Sequence, residues 1–428
     1  VDNKFGNFYS GSLGWVVSKE KFFKANWVDQ LKIRGSYGSI GNENVNPQFV
    51  SIVTGGPSYG STANSNGYTF NDVFYPGSTV GSSANTTLRW EKQIQSNIGF
   101  DLVVLNNKVS LNADYFQKTV DGLLFTPAAS LYLGTVPSPI ANIGATKTSG
   151  FDFTLNYNES IGKNLKFNTA LTFTTATNLV TATNDNGTAK ILGGFYFNGQ
   201  SQSVTVFEKG FAPGYFYGYK TAGLFQNAAD VAASPKQAGA QPGDIKYVDM
   251  NGDGVINASD QTNIGNPFPK FTMGWSFNLS YKNFDFNTFL YASVGNDIYR
   301  AYERNANFSN KDRSVLGRWT GEGTTNDARL PRYSFVDANS NIRVSDRYVE
   351  DGSFLKIKNI QLGYTFNTPA SKKWFNSIRV YAQVKNAFVF TKYTGFDPEI
   401  AGGILDTGID RGAYPQARTF AFGFDIKL

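Results

Sequence analysis

The 428-residue sequence contains no cysteine and no histidine. Without cysteine there are no disulfides and no thiolate metal sites; without histidine there are no imidazole bases, few zinc sites and no Ser-His or Cys-His pairs. Any catalysis would have to rest on carboxylates, lysine or tyrosine. The acidic pairs that stand close in sequence, Glu350-Asp351 and Asp397 with Glu399, do not by themselves give the facing separation of roughly 5 to 9 Å that glycosidases use. No phosphate loop or nucleophile motif is present, so the sequence reads as a non-enzyme. Long apolar runs are missing too. Nothing approaches the roughly 18 residues of a membrane helix, so only a β-barrel could take this chain across a bilayer. The 39 basic and 33 acidic residues are scattered, which argues against nucleic acid as a partner.

What is abundant is glycine, at 44 residues, and aromatic side chains, at 15%, in a chain only 41% hydrophobic. That mixture suits many strands, tight turns and aromatic interfaces. The last stretch, Arg418 to Leu428, sets the pattern. Phe420, Phe422, Phe424, Ile426 and Leu428 share one face of an extended strand, and Thr419, Ala421, Gly423, Asp425 and Lys427 share the other. The same alternation recurs at Phe8–Ser18, Val28–Ile40, Leu88–Val104, Lys108–Val120, Asn142–Asn158, Asn164–Thr181, Lys270–Tyr281, Phe284–Asp297, Ser353–Phe366 and Ile378–Phe390. A further hairpin is expected around Val204 to Phe225, and a broken register near Lys358 predicts a bulge.

Connections alternate between short turns, such as Asn106-Asn107 and Lys282-Asn283, and long loops at 41–87, 121–141, 182–269, 298–352 and 391–417. That is the asymmetry of outer-membrane barrels, with short periplasmic turns and long extracellular loops. Trp27 and Trp374 fall at short turns, where an interfacial aromatic belt would lie. The fold expected over residues 1–428 is therefore an all-β transmembrane antiparallel barrel, with a large soluble β fold as the alternative. Eleven strands, or 13 with the extra hairpin, make an odd number, whereas single-chain bacterial barrels are even. The expectation is the C-terminal part of a larger barrel, its C-terminus on the periplasmic side.

Several separated segments carry a family resemblance: GYFYGYKTAGLFQ (214–226), PGDIKYVDMNGDGVINASDQTNIGNPFPKFTMGW (242–275), RYVEDGSFLKIKNIQLGYTF (347–366) and YPQARTFAFGFDIKL (414–428), with LRWEKQIQSNIGFDLVVLNNKVSLNADYF (88–116). They resemble the C-terminal half of the SusC/RagA family of TonB-linked outer-membrane transporters. The resemblance implies a 22-stranded barrel around an N-terminal plug that this sequence does not include. It implies import of glycans or peptides, energised by TonB through that plug, with a SusD-like surface lipoprotein as lid. Contact with lipid and lipopolysaccharide, and a dimer of the transporter–lid pair, follow as expectations. A passive pore or surface scaffold, and a soluble carbohydrate-binding β protein, are the alternatives.

Two sets of residues are candidates for ligand contact. Asp249, Asn251, Asp253, Val255, Asn257 and Asp260 stand at the 1, 3, 5, 7, 9 and 12 spacing of a calcium loop, with Gly254 at the sharp turn. The motif normally ends in a bidentate Glu, and Asp260 is one methylene shorter. A structural Ca2+ is the expected cofactor; an Asx-turn loop without metal is the other reading. Loop aromatics form the second set. Among Tyr59, Tyr68, Phe74, Tyr75, Phe195, Tyr196, Phe197, Tyr215, Phe216, Tyr217, Tyr219, Trp319, Tyr333 and Phe335, those assigned to substrate or lid contact are Tyr75, Tyr196, Tyr217, Trp319 and Tyr333. Packing within the loops competes with that role. The charged residues Arg300, Glu303, Arg304, Lys311, Asp312, Arg313 and Arg318 read as a solvated loop face.

Overall fold

The computed structural model describes residues 5–42, 51–54, 67–82, 85, 87–125, 140–183, 189–197, 201–303, 312–367 and 376–427. Tyr59, Trp374, Arg304 and Lys311, and the side chains of Tyr68, Phe74, Phe195, Tyr196 and Phe197, lie outside the described set.

Eleven long strands form one antiparallel sheet in simple sequential order: β1 (Ser10–Val16), β2 (Val28–Asn42), β3 (Glu91–Val104), β4 (Val109–Phe125), β5 (Ala141–Ile161), β6 (Leu165–Thr183), β7 (Phe271–Tyr281), β8 (Phe284–Val294), β9 (Phe354–Asn367), β10 (Ser377–Thr391) and β11 (Thr419–Lys427). Every expected strand is present. The short turns use the left-handed backbone that tight hairpins require: Asn106 and Asn107 have φ of 57° and 63°, Gly162 60° and Lys282 54°. Lys358 is the extra residue where the pairing of β9 with β8 slips, so the bulge falls where the broken alternation placed it.

Alternation sorts the side chains onto two faces. Leu13, Ile33, Phe100, Tyr115, Phe153, Leu171, Trp275, Leu362, Val380 and Phe422 all lie exposed on the same face, and Phe422 is 84% exposed. A soluble sheet would bury such a stripe; against hydrocarbon, burial in lipid takes the place of a protein core. The opposite face is polar and hydrogen-bonded. Among the described residues no helix is long and apolar enough to cross a membrane.

The expected hairpin at Val204–Phe225 forms in part, but it is not a barrel pair. Ser201–Phe207 and Tyr215–Gly218 join Ile191–Phe197 and Thr262–Gly265 in a separate four-stranded sheet. Val204, Phe207, Tyr215, Phe216 and Phe225 are fully buried, so these residues form the core of the loops. The count of 13 is thereby corrected to 11. Described parts of the loops 298–352 and 391–417 form a separate three-stranded sheet, in which Asp297–Arg300 pairs antiparallel with Val349–Asp351 and parallel with Ile409–Asp410. One apolar cluster joins Val204, Phe216, Tyr299, Val344, Tyr348 and Ile409, so three long loops make one cap.

Candidate functional site: the polar wall and its cap

Polar residues of β2 to β4 meet in a row across the sheet. Arg34 is paired in register with Gly99, and Gly99 with Asp114. The guanidinium passes over the glycine to bind Asp114, with Nη1 to Oδ1 and Nη2 to Oδ2 both at 2.5 Å, while Nε donates to Asp101 at 3.0 Å. A Cβ at Gly99 would collide with the Asp114 carboxylate. Small residue and ion pair are therefore one device, closed without an unpaired charge.

Nearer the short turns lies a second row, made of carboxamides. Asn158, Asn168, Asn278, Asn287, Gln361 and Gln383 stand in register on six consecutive strands, β5 to β10. Their side chains bond in one direction, except that on β9 the link is Asn359, two residues before Gln361. Gln383 donates to Asn359 at 2.7 Å, Asn359 to Asn287 at 2.7 Å, Asn287 to Asn278, Asn278 to Asn168 at 3.3 Å, and Asn168 to Asn158. The sequence reading missed this belt. Each residue is merely a polar position in its own strand, and only the strand register aligns them.

The cap is tied to the wall by a buried cation. Lys356 of β9 is 1% exposed and places Nζ 2.6 Å from Asp397 Oδ1 and 2.8 Å from Glu399 Oε2; Lys358 reaches the same Glu399 oxygen at 2.5 Å. Burial alone would raise both carboxyls. That largest effect is overcome only by several others together: at Asp397 the Lys356 hydrogen bond with the backbone N–H groups of Glu399 and Gln416, and at Glu399 the hydrogen bonds of Lys356 and Lys358, so that both are held below their usual range. The pair Asp397 and Glu399 is thus a structural anchor. Glu350 has a similar role, accepting hydrogen bonds from the Thr394 backbone and hydroxyl. Arg300 and Glu303 are not solvated as expected: Arg300 is nearly buried between Glu303 and Glu350, and Arg347 also binds Glu303 at 2.8 Å.

In the acidic loop, Asp249 accepts from the backbone of Gly252 and Gly254, Asn251 Oδ1 from Asp253 N, and Asp253 Oδ1 from Val255 N. Asn257 caps the 3-10 turn Ala258–Asp260. Asp260 is fully buried and accepts from Met250 N at 2.9 Å and Asn257 N at 2.7 Å, which closes the loop. On the exposed side the oxygens of Asp249, Asn251 and Asp253 and the Val255 carbonyl, hard donors of the kind calcium takes, accept hydrogen bonds from within the loop, Asp253 Oδ2 from the Asn251 amide and the Val255 carbonyl from that of Asn257.

The five aromatics assigned to contact do not share a site in the described contacts. Trp319 packs against the cluster of Tyr219, Leu224, Ile245 and Tyr247. Tyr217 is half-buried under Lys190, whose Nζ donates to its hydroxyl at 3.2 Å. Tyr333 and Tyr75 are exposed, Tyr333 edge-on to Phe335 at 6.1 Å.

An apolar outer face, a hydrogen-bonded polar inner face, short turns at one end and a packed cap at the other define the wall of an outer-membrane β-barrel. The family model described as TonB dependent receptor-like, beta-barrel matches residues 1–387, and the chain belongs to that family. SusC- and RagA-type proteins are among those it is similar to. It is 31% identical to TonB-dependent receptor P3 of Formosa agariphila, over 100% of this chain and 42% of that protein. It is 29% identical to TonB-dependent receptor SusC of Bacteroides thetaiotaomicron, over 100% of this chain and 40% of that protein. The solved RagAB peptide transporter superposes with a TM-score of 0.79 at 22% identity, covering 100% of this chain and 44% of its own. The chain thus spans less than half the length of these relatives. The family is one of receptors and transporters, not enzymes.

Proposed function

We propose that the chain forms the C-terminal wall and cap of a TonB-dependent outer-membrane importer of glycans or peptides, working with a SusD-like lipoprotein lid. The observation that carries this reading is the two-faced sheet: exposed aromatic and aliphatic side chains outside, paired charges and amides inside. In this reading the long loops are extracellular and the short turns periplasmic. The cap, held by Lys356, presents Tyr333 outward for the lid or solute, and the 41–87 loop presents Tyr75. Calcium binds the exposed oxygens of Asp249, Asn251, Asp253 and Val255, and Asp260 braces the loop from inside. The test is uptake of labelled oligosaccharides and peptides by cells carrying the intact protein, with and without a functional TonB. Accumulation that requires TonB supports the importer; equal entry in both strains supports the passive pore instead.

A further inference from the structure

On the apolar face, a groove of about 500 Å³ runs along β10 at the short-turn end. Its floor is Val380 and Ala382. Leu362 and Tyr364 of β9 wall one side, and Phe422 and Phe424 of β11 the other. One small residue makes the gap: Ala382 stands in register between Leu362 and Phe422, whereas the neighbouring outward positions of β10 carry Ile378, Val380 and Val384. The β9 wall is braced, because Phe284 and Phe366 both lie edge-on to Tyr364 with ring centroids 4.7 Å away. Phe284 also lines the groove, and it pairs with Tyr281 across the short turn. In that turn Lys282 is exposed, its Nζ 5.4 Å from the centre of the Tyr281 ring. Strands β8 to β11 carry two carboxylates, Asp285 and Asp425, and both are held on the polar face by Arg379. The groove is therefore apolar along its length, with a cation at one end and no acid beside it.

Width and direction decide what fits. Neighbouring strands are ~4.8 Å apart, so the two walls rise from backbones ~9.6 Å apart and fill part of that width themselves. An α-helix, about 10 Å across with its side chains, is too wide to enter. A single hydrocarbon chain is not, and a groove that follows the strands climbs through the bilayer as an acyl chain does. Inside a membrane every neighbour is apolar, so hydrophobicity does not select the occupant. Filling does, because an empty slot forfeits the dispersion contacts of its lining. Lys282 adds a positive charge at the level of the lipid phosphates. We propose that the Ala382 groove is a binding site for one acyl chain of a phospholipid of the periplasmic leaflet, with the lipid phosphate at Lys282. The proposal takes from the importer reading only the placement of the short turns on the periplasmic side.

The test is native mass spectrometry of the intact protein in dodecyl maltoside after addition of phosphatidylethanolamine, reading the one-lipid complex. Ala382→Trp, which fills the groove, should lower that complex about fivefold. Lys282→Gln should lower it to the level reached with diacylglycerol, which has the chains and no phosphate. Leu171→Trp, on the apolar face of β6, should leave it unchanged. If the Ala382→Trp variant does not fold, judged by gel migration of unheated samples, Ala382→Leu should lower the complex about twofold. An undiminished complex with the groove filled, or an equal loss in Leu171→Trp, overturns the proposal. So does displacement of the phosphatidylethanolamine by equimolar lipopolysaccharide, or an Ala382→Trp variant that keeps its lipid and changes its oligomeric state, which would make the groove an interface between copies. Loss of TonB-dependent uptake with the lipid complex behaving as expected counts against the importer alone; uptake retained with a complex insensitive to Ala382→Trp counts against the groove alone.

Discussion

Arg379 on β10 reaches across Gly363 of β9 to grip Asp285 on β8, with Nε 2.9 Å from Oδ2 and Nη2 2.5 Å from Oδ1. The contact skips a strand, and the missing side chain of Gly363 permits it: a Cβ there would meet both the carboxylate and the guanidinium. Arg34, Gly99 and Asp114 repeat the arrangement near the other edge of the sheet. Fork-to-carboxylate pairs hold geometry as well as charge, so these two staples fix how neighbouring strands stack.

Replacing Gly363 with valine should break the Arg379–Asp285 pair and destabilise the barrel by about 1–3 kcal/mol, since overpacking is added to the lost pair. Thermal unfolding followed by gel migration of unheated samples would register this as a lower transition. A valine variant as stable as the parent would show that the staple contributes nothing.

Lys356→Ala should be more severe, because Asp397 would lose its buried partner. Removing one member of a buried pair costs on the order of 3–5 kcal/mol. The effect should concentrate in residues 391–417, seen as faster hydrogen exchange there, with β2 to β6 unchanged.

The same anchor sets a pH dependence. Asp397 and Glu399 have folded pKa values held down, so their contribution is present above the unfolded value of about 4 and is lost as pH falls through the folded value. Hydrogen-exchange protection of residues 391–417, corrected for intrinsic rate, should be flat from pH 8 to about 5 and collapse below about 4. Loss already at pH 6 would point to a different group.

For the acidic loop the expected outcome is calcium uptake with a dissociation constant of about 0.1–1 mM, the range of extracellular modules. Calorimetry on the intact protein measures it, and Asp253→Ala should abolish it. No heat at millimolar calcium would leave the loop as a set of Asx turns.

Most of the wall was legible in the sequence because lipid and lumen impose a strict alternation. Phe420, Phe422, Phe424 and Ile426 are exposed where period two placed them, and Lys358 bulges where that period failed. The cap was not legible. Val204 and Phe216 look like part of another amphipathic hairpin until Tyr299, Val344, Tyr348 and Ile409, far away in sequence, bury them, and Phe207 until it packs on Phe125. The amide belt was hidden for a related reason. Asn158 and Gln383 are ordinary polar residues until register aligns six strands.

Deleting the C-terminal end of β11 tests the terminal strand. Without Phe424 to Leu428 the intact protein should fail to insert into the outer membrane, because β10 loses its pairing partners Val380 to Phe424 and Ile378 to Ile426. Normal assembly of the truncated protein would refute that assignment.

The two-faced wall is tested most directly by where its tryptophans lie. Trp275 is on the apolar face of β7, and Trp319 is packed in the cap. In variants keeping one of them as the sole tryptophan, reconstituted with nitroxide-labelled phospholipids, Trp275 should be strongly quenched and Trp319 should not. Quenching of Trp275 by aqueous iodide and not by the labelled lipid would contradict the account.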